Sequence, residues 1–151
     1  MNDKMNSTLI HLAGTCQAEA IRSLIASACD LNERDEQGKT ALMHAVIAEC
    51  YEVVEILLQA GAEVNQVDIH GQSALMFAVL NGNLDCTKLL LENGAIVNLK
   101  NVAGQSAINF AKRKNFRLET NNFMLVLEIP RLRKSKIMEI LERYQNIQCE
   151  N

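Results

Sequence analysis

The chain has 151 residues, 48% of them apolar, few aromatics, no Trp and a net charge of −3, which suits one folded domain or a short repeat array. No stretch approaches the ~20 apolar residues needed to cross a bilayer, and Met1-Asn2-Asp3-Lys4-Met5-Asn6 lacks the apolar run of a signal peptide. Charge is divided unevenly: residues 1–111 carry 6 Lys/Arg against 13 Asp/Glu, whereas residues 112–151 carry 9 against 5. Such asymmetry lets the two ends attract different partners, although an acidic body with a solvated basic end is the simpler expectation.

Residues 2–34 are in register with residues 35–67. Ser7, Leu9, His11, Ile21, Leu24, Ile25, Leu31 and Asn32 stand 33 residues before Thr40, Leu42, His44, Val54, Leu57, Leu58, Val64 and Asn65. Met5 and Ala28 occupy positions held by glycine in later copies, as suits a terminal unit with one face in water. In residues 35–67, Asp35-Glu36-Gln37-Gly38 supplies turn chemistry and Thr40 is placed to cap a helix. Leu42, Ala45 and Val46 predict a short inner helix, and Val53, Val54, Ile56, Leu57 and Leu58 a broader outer helix of 3.6-residue period. Gly61 ends it as a left-handed cap. Residues 68–100 repeat the pattern, with Ser73 as cap, Leu84, Leu89, Leu90 and Leu91 in the outer helix, and Gly94 closing.

A fourth unit starts in phase at Asn101, Gly104, Ser106, Ile108, Phe110 and Ala111 and then loses the period. The outer-helix pattern returns 18 residues late as Ile137-Met138-Glu139-Ile140-Leu141. We read residues 116–133 as an insertion, and residues 134–146 as a closing helix with Ile137, Ile140, Leu141 and Tyr144 on one face. Alternation through Phe116, Leu118 and Thr120, then Phe123, Leu125 and Leu127, favours a β-hairpin turning at Asn121-Asn122. An in-phase helix followed by an extra one is the alternative.

The units Asp-x-x-Gly-x-Thr/Ser, the Ala/Leu inner helix, the Leu-Leu pair, Gly-Ala and Val-Asn together resemble the ankyrin-repeat family, in register across residues 2–111. The usual Thr-Pro-Leu-His becomes Thr-Ala-Leu-Met at 40–43 and Ser-Ala-Leu-Met at 73–76. The resemblance implies an all-α solenoid of about four helix-turn-helix repeats, at 2–34, 35–67, 68–100 and 101–146, forming a single domain over 1–151. A repeating unit of this kind cannot bury its apolar face without neighbours.

The resemblance also implies a non-catalytic module that binds another protein through turn tips and the inner-helix face. The tip slots hold Glu36, Gln37 and Lys39, then Ile69, His70 and Gln72, then Val102, Ala103 and Gln105. The slots late in the inner helix hold Ile47 and Ala48, Leu80 and Asn81, and Arg113 and Lys114. Ile47, Ile69, Leu80 and Val102 are apolar where the fold should leave them exposed, which suggests a recognition patch. The alternative is a regulatory inhibitor or secreted effector acting through the insertion and the basic run around Lys112-Arg113-Lys114.

No residue pattern points to catalysis. His11 and His44 share one slot with Phe77 and Phe110, so packing is their expected role, and His70 should face solvent. Asp35-Glu36 reads as turn chemistry and not as an acid–base pair. The glycines recur once per unit and do not form a phosphate cradle. No cofactor, metal or small-molecule substrate is expected. The basic run lacks interleaved aromatics, which speaks against nucleic acid, and a membrane is disfavoured. Asn32, Asn65 and Asn98 should tie down their own turns. Cys16, Cys29, Cys50, Cys86 and Cys149 show no Cys-x-x-Cys spacing, and an odd, scattered set fits reduced thiols in a monomeric cytoplasmic protein. An effector exported by an uncleaved signal would read the same way.

Overall fold

The computed structural model describes residues 3–112, 116–117, 126–127 and 131–149. Eight helices lie among them: α1 (Asp3–Gly14), α2 (Ala18–Ala26), α3 (Ala41–Ile47), α4 (Tyr51–Gln59), α5 (Ala74–Leu80), α6 (Leu84–Glu92), α7 (Ala107–Lys112) and α8 (Arg131–Cys149). Helices α1, α3, α5 and α7 pack in succession to form one layer, and α2, α4, α6 and α8 form the other. Each helix also packs on its partner in the opposite layer. The result is an all-α repeat solenoid, as the periodicity predicts.

Local chemistry explains the helix ends. The Met43 N–H donates to Thr40 Oγ1 at 3.4 Å, and the Met76 N–H to Ser73 Oγ at 3.4 Å. Both hydroxyls thereby satisfy a donor that has no partner within its helix. In the fourth unit the roles are shared differently: Asn109 Oδ1 accepts from the Ser106 N–H at 2.8 Å and from its hydroxyl at 2.9 Å. Helices α4 and α6 stop at Gly61 (φ 93°) and Gly94 (φ 86°), where the left-handed turn suits a residue without Cβ. The equivalent residue after α2 is Ala28, at φ 56°.

The core runs the length of the stack. In the first layer Ala41, Leu42, Ala45 and Val46, then Ala74, Leu75, Ala78 and Val79, are buried, the alanines allowing helices to approach closely. In the second layer Val53, Val54, Leu57, Leu90 and Leu91 are buried, each such aliphatic contributing roughly 1.5–3 kcal/mol through its removal from water. At the far end Ile137 and Leu141 are fully enclosed, with Ile140 and Tyr144 packed against them.

The closing helix is longer than the sequence suggests. It runs from Arg131 to Cys149 and so takes in the last three positions assigned to the insertion. The reason is compositional: Arg131-Leu132-Arg133-Lys134 are all good helix formers, and nothing in them breaks the helix. Ahead of it, β1 (Phe116–Arg117) and β2 (Val126–Leu127) pair antiparallel, Phe116 opposite Leu127 and Arg117 opposite Val126. The turn expected at Asn121-Asn122 lies outside the described residues.

Asn32 and Asn65 correct an expectation. Instead of holding their own turns, they reach sideways to the next unit. Asn32 Oδ1 accepts from the Glu63 N–H at 2.8 Å, and Asn65 Oδ1 from the Ile96 N–H at 2.9 Å, while Asn65 Nδ2 donates to Gly94 O at 3.0 Å. A turn on the neighbouring unit offers backbone groups that its own residues leave without partners, so the lateral bond wins. The turn that Asn65 holds is also bonded by Gln148 of α8, which donates to Ala95 O at 2.9 Å and accepts from the Val97 N–H at 3.1 Å.

Candidate partner-binding surface

Three turn tips are built to one plan. Asp35 Oδ1 accepts from the N–H groups of Gln37 (2.9 Å) and Lys39 (2.8 Å). Asp68 Oδ1 does the same for His70 (2.9 Å) and Gln72 (2.8 Å), and Asn101 Oδ1 for Ala103 (3.0 Å) and Gln105 (2.9 Å). One carbonyl-type oxygen thus folds each tip back on itself, in the manner of an Asx turn. The tips are then joined to one another: the Ile69 N–H donates to Gln37 O at 3.0 Å, and the Val102 N–H to His70 O at 2.9 Å. Arg34 reinforces the first junction, donating to Gly38 O at 3.0 Å and to Val67 O at 2.6 Å.

Because the backbone is committed in both directions, the side chains at the tips are presented outward on a fixed base. Ile69 is 58% exposed and Val102 76%, and Ile47 at the end of α3 is 39% exposed. Glu36, Gln37, His70 and Ala103 are also exposed, whereas Lys39, Gln72 and Gln105 are half-buried. Lys39 Nζ donates to Gln37 Oε1 across the first tip. Ala48 and Asn81 are half-buried, and Asn81 Nδ2 donates to Ile47 O at 3.2 Å, bridging α5 to α3.

Leu80 does not belong with the exposed group. It is 8% exposed and joins the core, since α5 sits between α3 and α7 and burial is the lower-energy placement for its side chain. Arg113 and Lys114 lie outside the described residues.

His44 also departs from the packing role read from the sequence. Its Nε2 lies 2.8 Å from Asp35 Oδ2, so the carboxylate that shapes the first tip is also tied to α3. Burial pushes the Asp35 carboxyl up, but the hydrogen bond from His44 and those from the Lys39 and Gln37 N–H groups outweigh it and hold the group below its ordinary value. His11 at the equivalent slot of α1 is exposed, as is His70 on its tip. The hint available in the sequence was the coincidence of Asp35 with a histidine in the last turn of the following short helix.

Among the described residues, no three His, Cys, Asp or Glu side chains gather as metal ligands would. Burial, with smaller effects from Asp85 and Glu49, pushes the Cys86 thiol up to about 11, which makes it a poor nucleophile. The cysteines do not all stay apart, however. Cys16 and Cys50 form a disulfide with Cα atoms 5.5 Å apart, against the expectation of scattered thiols. Stacking brings adjacent loops together, and a sequence spacing of 34 conceals that proximity.

Paired helices in two layers, joined by laterally bonded turns, define a helical repeat solenoid. The chain belongs to the ankyrin-repeat family: the family models "Ankyrin repeats (3 copies)" and "Ankyrin repeats (many copies)" match residues 1–68 and 57–111. No curated protein matches the chain. Ankyrin repeats generally mediate protein–protein interaction and are generally non-catalytic modules. Among the described residues, no helix is long and apolar enough to cross a membrane.

Proposed function

We propose that this chain is a single non-catalytic interaction module that binds a partner protein through its turn tips and the adjoining ends of its inner helices. The observation that carries this reading is the exposure of Ile69 and Val102 on consecutive, hydrogen-bonded tips. Exposed apolar side chains held on a rigid base lose little conformational freedom on binding, so their burial converts efficiently into affinity. Ile47 extends the apolar patch, while Glu36, Gln37, Lys39, His70, Gln72, Ala103 and Gln105 supply a polar surround. Ala48 and Asn81 border it, and Leu80 acts beneath it as support.

The test is affinity capture with the native chain and with the double variant Ile69→Glu, Val102→Glu. Both sites are exposed, so the variant should fold, which circular dichroism would check. We expect partner recovery to drop at least tenfold. Equal recovery by the folded variant would dismiss this face.

A further inference from the structure

We propose that Cys16 and Cys50 form a reversible thiol–disulfide exchange site, with small-molecule disulfides as its reaction partners, and that closing it fastens the first helix pair to the second. The proposal stands apart from partner binding and needs no partner to be tested.

The two Cα positions are fixed by backbone bonds that do not involve sulfur. In the α1–α2 turn the Thr15 N–H donates to His11 O at 3.1 Å and the Gln17 N–H to Leu12 O at 3.0 Å, which places Cys16 between them at φ 60°. Cys50 stands at the start of α4, its N–H donating to Ala45 O at 2.9 Å. The resulting Cα separation of 5.5 Å falls in the range that a disulfide spans without moving the backbone. The site is therefore preorganised in either redox state.

Exposure assigns the roles. Cys16 is exposed, whereas Cys50 is 7% exposed. The Cys16 thiolate attacks one sulfur of a disulfide RS–SR, forming a Cys16–S–SR mixed disulfide and releasing RS⁻. The Cys50 thiolate then attacks the Cys16 sulfur, forming the internal bond and releasing the second RS⁻. Two protein thiols give up two protons and two electrons; RS–SR takes the electrons to become two thiolates, which take up the two protons through solvent and leave as two thiols. Two of the three remaining cysteines suit this work less well: Cys86 is fully buried with its thiol pushed up, and burial, ahead of the nearby Asp30 charge, pushes the Cys29 thiol up as well.

The closed bridge joins the α1–α2 turn to the α3–α4 turn. In a repeat array each unit is stabilised by its neighbours, so a clamp at this junction acts on the unit it joins more than on distant ones.

The full chain would be equilibrated in mixtures of oxidised and reduced glutathione, quenched by alkylation and mapped by mass spectrometry. We expect a Cys16–Cys50 peptide whose yield titrates with the glutathione ratio. Oxidation should raise the melting temperature by on the order of 5–10 °C and slow amide exchange in α1 and α2. Cys16→Ser should abolish all three effects, and Cys149→Ser, which removes an exposed thiol elsewhere, should leave them intact. Absence of the Cys16–Cys50 peptide across the titration of the native chain overturns the proposal. So does a bridge that forms without changing exchange in α1 and α2.

Discussion

After α2 the chain turns on Ala28 at φ 56°, whereas after α4 and α6 the same turn falls to Gly61 at φ 93° and Gly94 at φ 86°. The loop within each pair shows a similar contrast, with Cys16 at φ 60° and Glu49 at φ 58° where the third pair has Gly82 at φ 65°. A side chain in the left-handed region costs roughly 1–2 kcal/mol, so the α1–α2 pair carries two such penalties and the α5–α6 pair none. The difference teaches that stacking against a neighbour, more than the local letters, imposes the backbone path. It also places the least favourable local chemistry in α1 and α2, the pair that the Cys16–Cys50 bridge fastens.

Four substitutions would sharpen or break this contrast between first and central units. The largest effect is expected at Gly71. A Cβ there would stand 3.0 Å from Asn101 Cα and 3.1 Å from the Val102 N, whereas at Gly104, with nearly the same φ, it would meet nothing within 4 Å. Gly71→Ala should therefore lower unfolding free energy by roughly 2–3 kcal/mol and Gly104→Ala by about 1 kcal/mol, as read from urea melts. Equal losses would show that φ alone matters and that tip-to-tip contact does not.

An intermediate effect is expected at Asn65. Its side chain makes two bonds to the next turn, so Asn65→Ala should cost about 1–2 kcal/mol and speed amide exchange at Ile96. Exchange at Ile96 that stays unchanged would refute the lateral role. The smallest effect, and the only gain, is expected at Ala28. Ala28→Gly should stabilise the chain by about 0.5–1 kcal/mol, the relief of left-handed strain being partly offset by the greater freedom of glycine in the unfolded chain. A loss there would mean that the first unit is not under the strain its backbone angles indicate.

What the sequence made legible was whatever depends on neighbours along the chain. Thr40 and Ser73 cap the helices that follow them by accepting an N–H three residues on, the 3.6-residue period marks the buried faces, and Gly61 and Gly94 stop helices locally. What depends on the adjacent unit stayed hidden. Asn32 and Asn65 find partners 31 residues away, and nothing in their local context distinguishes that from a bond within the turn. Cys16 and Cys50 miss the strict period by one residue, so aligned copies never showed them as a pair. Of the four apolar residues expected at the surface, Ile47, Ile69 and Val102 are exposed and Leu80 is not, because a shared slot does not fix how neighbouring side chains cover it. Arg113 and Lys114 fall outside the described residues.

The sideways asparagine bonds bear on how such a chain can change length. Asn32 reaches Glu63 and Asn65 reaches Ile96 across the same interval, and the tip bonds from Ile69 to Gln37 and from Val102 to His70 share another. Removing residues 35–67 as a block would bring Asn32 into register with Ile96, and duplicating that block would insert a copy with both lateral partners supplied. A gene encoding this chain could thus gain or lose a unit by recombination and still close its lateral hydrogen bonds, provided the exchange respects the period.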